Sequence, residues 1–574
     1  MESIVLDADR RLHGPYTFAA ALLDRLVPEA LLDRPVPGAL LDRPVPGAPG
    51  RGPDLVAAYD IEIGVAAPQL SIPRRRRSLA ETLPRAQRIL IPGARRTLRI
   101  ANGLAEFVRD HLTRTRPLTV TVDNLDEADP TDAELVEVLR RRVDPGLLRI
   151  VPGRSAPSGG PVDADFDRFR DEGFHHAMAE AGLEALRGMT YEGDPDGWRT
   201  LVQRVGGSLE AVEREDEARA LYDRARRLTV DPKHRATIAY ATAMLLVRHH
   251  DLARRDPEEA LSWANEAVTI TSLLPDPRER AFHLGFDLNG KALVEVRRGN
   301  LDNALDLVRE AIDLAEEHLA GTHPIHRLVL YANRAQLLAA TGRTQEALAD
   351  YAIAIGADPG YPDYYLDRGT LLHKLGRHED ARADFEAAIR LSPPFPEAYY
   401  NRAEIRYTTG DLDGALADLD HTLDLDPRFA PAYVNRAGLL AAAGEHAAAR
   451  RDAERGLALD PRSPHLRCVL GQVEAAEGRR AEAVAAFDAA LELDPDLVAA
   501  WAGRAAAAYE EGDHAAALSD LTRALKLEET AELLFNRHLV HNAAGRPDEA
   551  RQDLLRAARL APRDPDIRRA LAEA

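Results

Sequence analysis

Cysteine occurs once in 574 residues, at Cys468, so the chain forms no internal disulfide and carries no CxxC metal or redox motif. Lysine is nearly as scarce: only Lys233, Lys291, Lys374 and Lys526 occur, and residues 1–232 have none. Aromatic residues make up 5% and methionine four positions, so alanine and leucine must do most of the packing, which favours closely packed helices over sheets. No apolar run approaches the roughly 20 residues of a membrane span, and the start MESIVLDADRRLHG lacks the basic-then-apolar pattern of a secretory signal. The expected setting is therefore cytoplasmic, with no membrane partner. A formal charge of −20 repels phosphate backbones and disfavours nucleic acid as a partner. The one dense basic run, Arg74 to Arg77, reads either as a solvated loop or as a docking patch for an acidic partner.

What the chain does have is length and a repeat. Single hydrophobic cores stop growing at about 250–300 residues, so 574 residues imply more than one unit. Aligning on glycine places Gly342, Gly376, Gly410, Gly444, Gly478 and Gly512 at steps of 34, followed by Gly545 after 33. Seven repeats begin near Leu328, Pro362, Pro396, Ala430, Pro464, Val498 and Ala531. Position four is bulky at Tyr331, Tyr365, Tyr399, Tyr433 and Trp501, and a small residue follows four later, as at Ala335, Gly369 and Ala403. Those two positions share one helix face. The second helix pairs a small residue, Ala347, Ala381 or Ala415, with an apolar one four later, Tyr351, Phe385 or Leu419. Each repeat closes near a proline such as Pro359, Pro393 or Pro427, which cannot continue the hydrogen-bond ladder.

These residues resemble the tetratricopeptide repeat family, strongly over 328–574 and weakly over irregular hairpins before it. The resemblance implies a mostly α fold, an α-α superhelical solenoid. The chain is read as an α/β domain over 1–152 with a proline-rich insertion at about 21–50, a linker over 153–164, irregular hairpins over 165–327, seven regular repeats over 328–563 and a capping helix over 564–574.

Comparing the copies separates architecture from candidate contacts. Position seven is Arg334, Arg368, Arg402, Arg436, Arg504 and Arg537, but Leu470 in the fifth repeat; position twenty-three is Asp350, Asp384, Asp418, Asp452, Asp520 and Asp553, but Ala486 in that same repeat. The joint switch points to a helix-to-helix ion pair within each repeat, because half of a buried pair is costly. Position six reads Asn333, Asp367, Asn401, Asn435, Val469, Gly503 and Asn536, roughly 200° around the helix from position four. In tetratricopeptide proteins that face lines the inner groove, and the resemblance implies that Asn333, Asp367, Asn401, Asn435 and Asn536 meet the backbone of an extended peptide. The other reading is a solvated face. His538 and His541 share one helical face but occupy core positions, so no metal site is expected.

The N-terminal third reads differently. A nine-residue repeat, ALLDRLVPE followed by ALLDRPVPG twice, fills residues 21–47, and its prolines block a continuous helix, which points to a flexible insertion. Helical stretches are expected near 54–66 and 94–113. Leu118 to Asp123, a helix from Thr131 to Arg142 and a strand from Leu147 to Val151 make a strand–helix–strand unit of a parallel sheet. The stretch VDNLDEADPTDAELVEVL resembles the Walker B region of signal-transduction ATPases of the STAND class, with Asp123 as the strand-ending acid and Asn124 where a second acid is usual. The phosphate-cradling Walker A loop needs a lysine, which residues 1–232 do not contain. The domain is accordingly read as a degenerate P-loop NTPase-like fold with Asp123 a vestigial Walker B residue. No other catalytic motif is present, and no cofactor is expected. The expected function is a non-catalytic scaffold for a protein or extended peptide. The alternatives are a nucleotide-dependent STAND-type regulator and a peptide-sensing regulatory receptor.

Overall fold

The computed structural model describes residues 2–27, 55–72, 78–79, 83, 96–157 and 165–573, and the chain divides into two compact units, Met1–Ala398 and Tyr399–Ala574. The Arg74–Arg77 run and most of the nine-residue repeats lie outside the described residues. The first copy does not: its Ala21 to Leu26 closes the helix Thr17–Leu26. Proline reaches that copy only at Pro28, after the helix has ended, which is why the expected helix block does not act there.

The first unit opens with three parallel strands in the order β1 (Glu2–Asp7), β2 (Leu118–Asp123) and β3 (Leu148–Pro152). Ile4 lies opposite Val120, and Val120 opposite Ile150. β1 is absent from the sequence reading because its apolar run is only Ile4 to Leu6, set between acids, with Val5 facing solvent on the sheet edge. The connection from β2 to β3 is the helix Pro130–Arg142, capped by Asp129 through the Thr131 N–H and ending in three arginines. That helix also caps another. Asp132 accepts from the Phe18 and Ala19 N–H groups at 2.9 and 3.0 Å, supplying the N-terminal acceptor that Tyr16 cannot. The core beneath the sheet continues without interruption into Phe169 and Met178 of the helices Phe166–Glu172 and His175–Gly188, and into Phe174 at the turn between them.

Antiparallel helix pairs follow. Those before the regular repeats are long, as in Pro277–Arg297 with 21 residues and Leu301–His318 with 18. The regular ones settle to 13 and 14, as in Pro362–Lys374 with His378–Leu391. The first regular repeat is the exception, its first helix starting at Pro324 because proline suits the first helical position. Each hairpin turns on a glycine in the left-handed region, from Gly342 (φ 78°) to Gly545 (φ 68°). The residue after it bonds back across the turn, as Arg377 N–H does to the Leu372 carbonyl at 2.9 Å.

The second unit repeats the same pattern. Small-on-large contacts set the spacing between helices: a Cβ added to Gly471 would lie 2.7 Å from the Phe487 ring. Its last helix, Pro565–Glu573, buries Ile567 against Leu534 and Leu554 and turns Arg568 and Arg569 to water.

Candidate protein-binding face of the repeats

Each position-seven arginine spans from the first helix of its repeat to the second. Arg334, Arg368, Arg402, Arg436, Arg504 and Arg537 present Nε and a terminal nitrogen to both oxygens of Asp350, Asp384, Asp418, Asp452, Asp520 and Asp553, at 2.6–2.9 Å. The carboxylates are buried, and the bidentate geometry matches the planar guanidinium. Bonding to Asp350 holds the Arg334 guanidinium above its ordinary pKa despite partial burial. In all but Arg537, which has Leu534 at position four, the guanidinium also lies over the position-four ring three residues before it, 5.1 Å from Tyr331 and 4.7 Å from Trp501. In the second unit it also reaches the preceding repeat, Arg436 to Asp420 at 2.7 Å and Arg504 to Asp488 at 2.5 Å.

Position four carries a second link. Tyr365, Tyr433 and Trp501 each donate to the carbonyl of the proline six residues earlier, Pro359, Pro427 and Pro495, at 3.2, 3.1 and 2.9 Å. Arg467 does the same to Pro461 at 2.8 Å. This donor explains why the fifth repeat tolerates arginine there.

Positions two, five and six of the first helices share one face. Part of it is already engaged between repeats. Asn333 Nδ2 donates to Asn289 Oδ1 at 2.8 Å, Gln336 Nε2 to Asp367 Oδ2 at 2.9 Å, and Asn435 Nδ2 to the Tyr400 hydroxyl at 3.1 Å. Asn401 and Asn536 are half-buried on it. At Val469 the chain buries an apolar side chain instead, and at Gly503 it makes room for Phe487, whose ring would lie 2.5 Å from an added Cβ. Burial pushes the Asp367 carboxyl up to about 6, with Asp363 adding to the rise and the Gln336 bond opposing it.

In the first unit, the N-terminal region lies on this face. The Leu79 N–H donates to Asp358 Oδ2 at 2.9 Å, and the Leu79 side chain packs beside Leu328, Ala332 and Tyr364. Arg99 is buried, with its guanidinium carbon 3.6 Å from the centre of the Phe395 ring and Nη2 3.6 Å from Glu397 Oε2. Burial lowers the Arg99 pKa from its ordinary value, and Glu397 and Asp363 oppose that fall.

The tetratricopeptide repeat model matches residues 332–396, 366–427, 400–464, 468–533 and 508–565. Over these residues the chain is built of tetratricopeptide repeats. Some solved structures are similar to the chain at low identity. A tetratricopeptide repeat protein from Parabacteroides merdae is 19% identical, covering 50% of this chain and 97% of its own, with a TM-score of 0.33. The anaphase-promoting complex hetero-tetramer Cut9–Hcn1 is 15% identical over 82% of this chain and 96% of that one, with a TM-score of 0.41. YrrB, described as a tetratricopeptide repeat protein with an unusual peptide-binding site, is 19% identical over 34% of this chain and 97% of its own, with a TM-score of 0.28. No functionally curated protein matches the chain.

Outside the tetratricopeptide repeats, Asp123 ends β2 with its Oδ1 accepting the Arg154 N–H at 2.8 Å. Asn124, at φ 54°, donates to Asp7 Oδ1 at 2.9 Å and accepts from the Ala156 N–H at 2.6 Å. A Cβ at Gly153 would lie 2.0 Å from Asp123 Oδ1, so the Asp123 carboxylate in this position lies close against the glycine. Glu215, His249 and His250 bring potential ligand atoms within 4.8 Å of one another. His249 Nδ1 accepts the Asp251 N–H at 3.1 Å, which puts the ring proton on Nε2, while Glu215 takes the His250 ring at 2.5 Å. Within the repeats, His538 Nδ1 donates to the Ala550 carbonyl at 2.9 Å, joining the two helices of the last hairpin. Cys468 is buried, its thiol pushed up to about 12 by burial. Among the described residues, no helix is long and apolar enough to cross a membrane.

Proposed function

We propose that this protein is a non-catalytic adaptor that takes an extended segment of a partner along the face formed by positions two, five and six of its first helices. Tetratricopeptide repeats are protein-interaction scaffolds. The observation that carries the finer reading is the seating of Leu79 and Arg99: a backbone N–H on Asp358, an apolar side chain beside Ala332 and Tyr364, and a cation between Phe395 and Glu397. A surface that accepts the chain's own segment through such contacts offers the same chemistry to another chain. In the second unit, Asn401 and Asn435 hold position six of their own first helices, and an amide pairs with a peptide unit regardless of its side chain. The α/β region serves docking in this reading. Asp123 is bonded to backbone, and Asn124 stands in place of a second acid.

Selection of a random dodecapeptide library on the full-length protein tests the proposal. An enriched peptide family is expected, bound at least tenfold more weakly by the N401A/N435A double variant at unchanged melting temperature. No enrichment, or equal binding by the variant, removes the reading.

A further inference from the structure

The irregular hairpins form an open pocket of about 370 Å³ between the helices Pro195–Ala211, Pro232–Arg248 and Pro277–Arg297. Sites for small molecules run from roughly 300 to 1,000 Å³. Helical spacing builds this one: Arg199 lies on the first helix, Lys233 and Tyr240 seven apart on the second, and Phe282 and Phe286 four apart on the third, each helix turning one stripe inward.

One wall is aromatic and rigid. The Phe282 and Phe286 rings meet edge to face at 5.7 Å, and Tyr240 meets Phe286 at 6.1 Å. Phe286 is backed by the buried His326 ring, stacked at 5.1 Å. Gly290 leaves room for Tyr240, since a Cβ there would lie 2.4 Å from its ring.

The other wall is cationic. Lys233 Nζ bonds Glu279 at 2.6 Å, but Arg199 makes no ion pair or hydrogen bond among the described residues, and its Nε is buried without a partner. Burial, with Lys233 and Arg199 adding to it, holds His283 below its ordinary pKa. Asp287 accepts from Thr271 Oγ1 at 2.9 Å, and burial pushes its carboxyl up to about 7. Lys233 and Arg199 therefore bring two cations to this wall, beside the carboxyl groups of Glu279 and Asp287. An unpaired guanidinium in a chain with an excess of acids is a site waiting for an anion. One guanidinium without a partner among the described residues matches a monoanion, whereas a dianionic phosphate would also meet Glu279 and Asp287.

We propose that this cavity binds a small aryl carboxylate, its carboxylate gripped by Arg199 with Lys233 alongside and its ring laid against Phe282, Phe286 and Tyr240. The site is separate from the peptide-binding face, so either can fail without the other.

Calorimetric titration of the full-length protein tests it, with 2-naphthylacetate as the probe, 2-naphthylethanol as its neutral counterpart and decanoate as a flexible carboxylate. Saturable one-to-one binding of 2-naphthylacetate is expected, about tenfold weaker for the alcohol and for R199Q, and partly restored in R199K. Thr237→Trp, which fills the cavity from the middle helix, abolishes binding while circular dichroism shows the helices intact. The proposal is overturned by absence of saturable binding at millimolar probe, by equal affinity for acid and alcohol, or by unchanged affinity in R199Q. Tighter binding of decanoate overturns the aryl assignment.

Discussion

At the scale of single residues, the Arg–Asp pairs behave as units. Removing Arg368 alone leaves the buried Asp384 carboxylate without its two charge-assisted bonds. R368A should cost roughly 3–5 kcal/mol, whereas R368L/D384A, which copies the Leu470 and Ala486 of the fifth repeat, should recover most of it. Midpoints of urea unfolding check this, and equal loss in the single and double variants would refute the coupling. The joint switch in the fifth repeat is visible in the sequence. The reach of Arg436 and Arg504 into the preceding repeat is not. Those contacts depend on how hairpins are offset, which no single repeat encodes.

At the scale of elements, helices in this chain are stabilised from outside as well as from within. The helix Thr17–Leu26 has no capping side chain of its own and takes its acceptors from Asp132, more than a hundred residues away. Asp132→Ala leaves two buried donors unsatisfied and should destabilise that helix by roughly 2–3 kcal/mol, with a smaller loss for Asp132→Asn, which keeps one acceptor. Amide exchange across residues 17–26 reports it directly; unchanged protection in Asp132→Ala would show that the cap contributes nothing. The helices of the regular repeats were legible because 34-residue spacing, glycine turns and closing prolines act locally. β1 was not, because three apolar residues become a strand only when β2 lies beside them.

At the scale of the whole molecule, the N-terminal region and the early repeats fold as one unit, and Arg99 is the clearest tie between them. A desolvated cation–π contact is worth roughly 2 kcal/mol, so R99A should speed amide exchange over residues 361–375 and 395–398 by about tenfold or more. Glu397→Gln, which keeps the stacking, should do less. Identical exchange in R99A and the parent would mean that this contact does not hold the face. The sequence by itself determined the helical repeat, its register, the Arg–Asp pattern and the β2–helix–β3 unit, because each depends on residues within one or two turns or within one hairpin. Only the tertiary structure decided what occupies the repeat face, where Asn333 and Asn435 spend their amides, and that Arg199 has no partner among the described residues beside an aromatic pocket. Those outcomes join side chains 35 to 296 residues apart, as in Tyr400 with Asn435 and Arg99 with Phe395, and a pairing over such distances exists only once the hairpins have stacked.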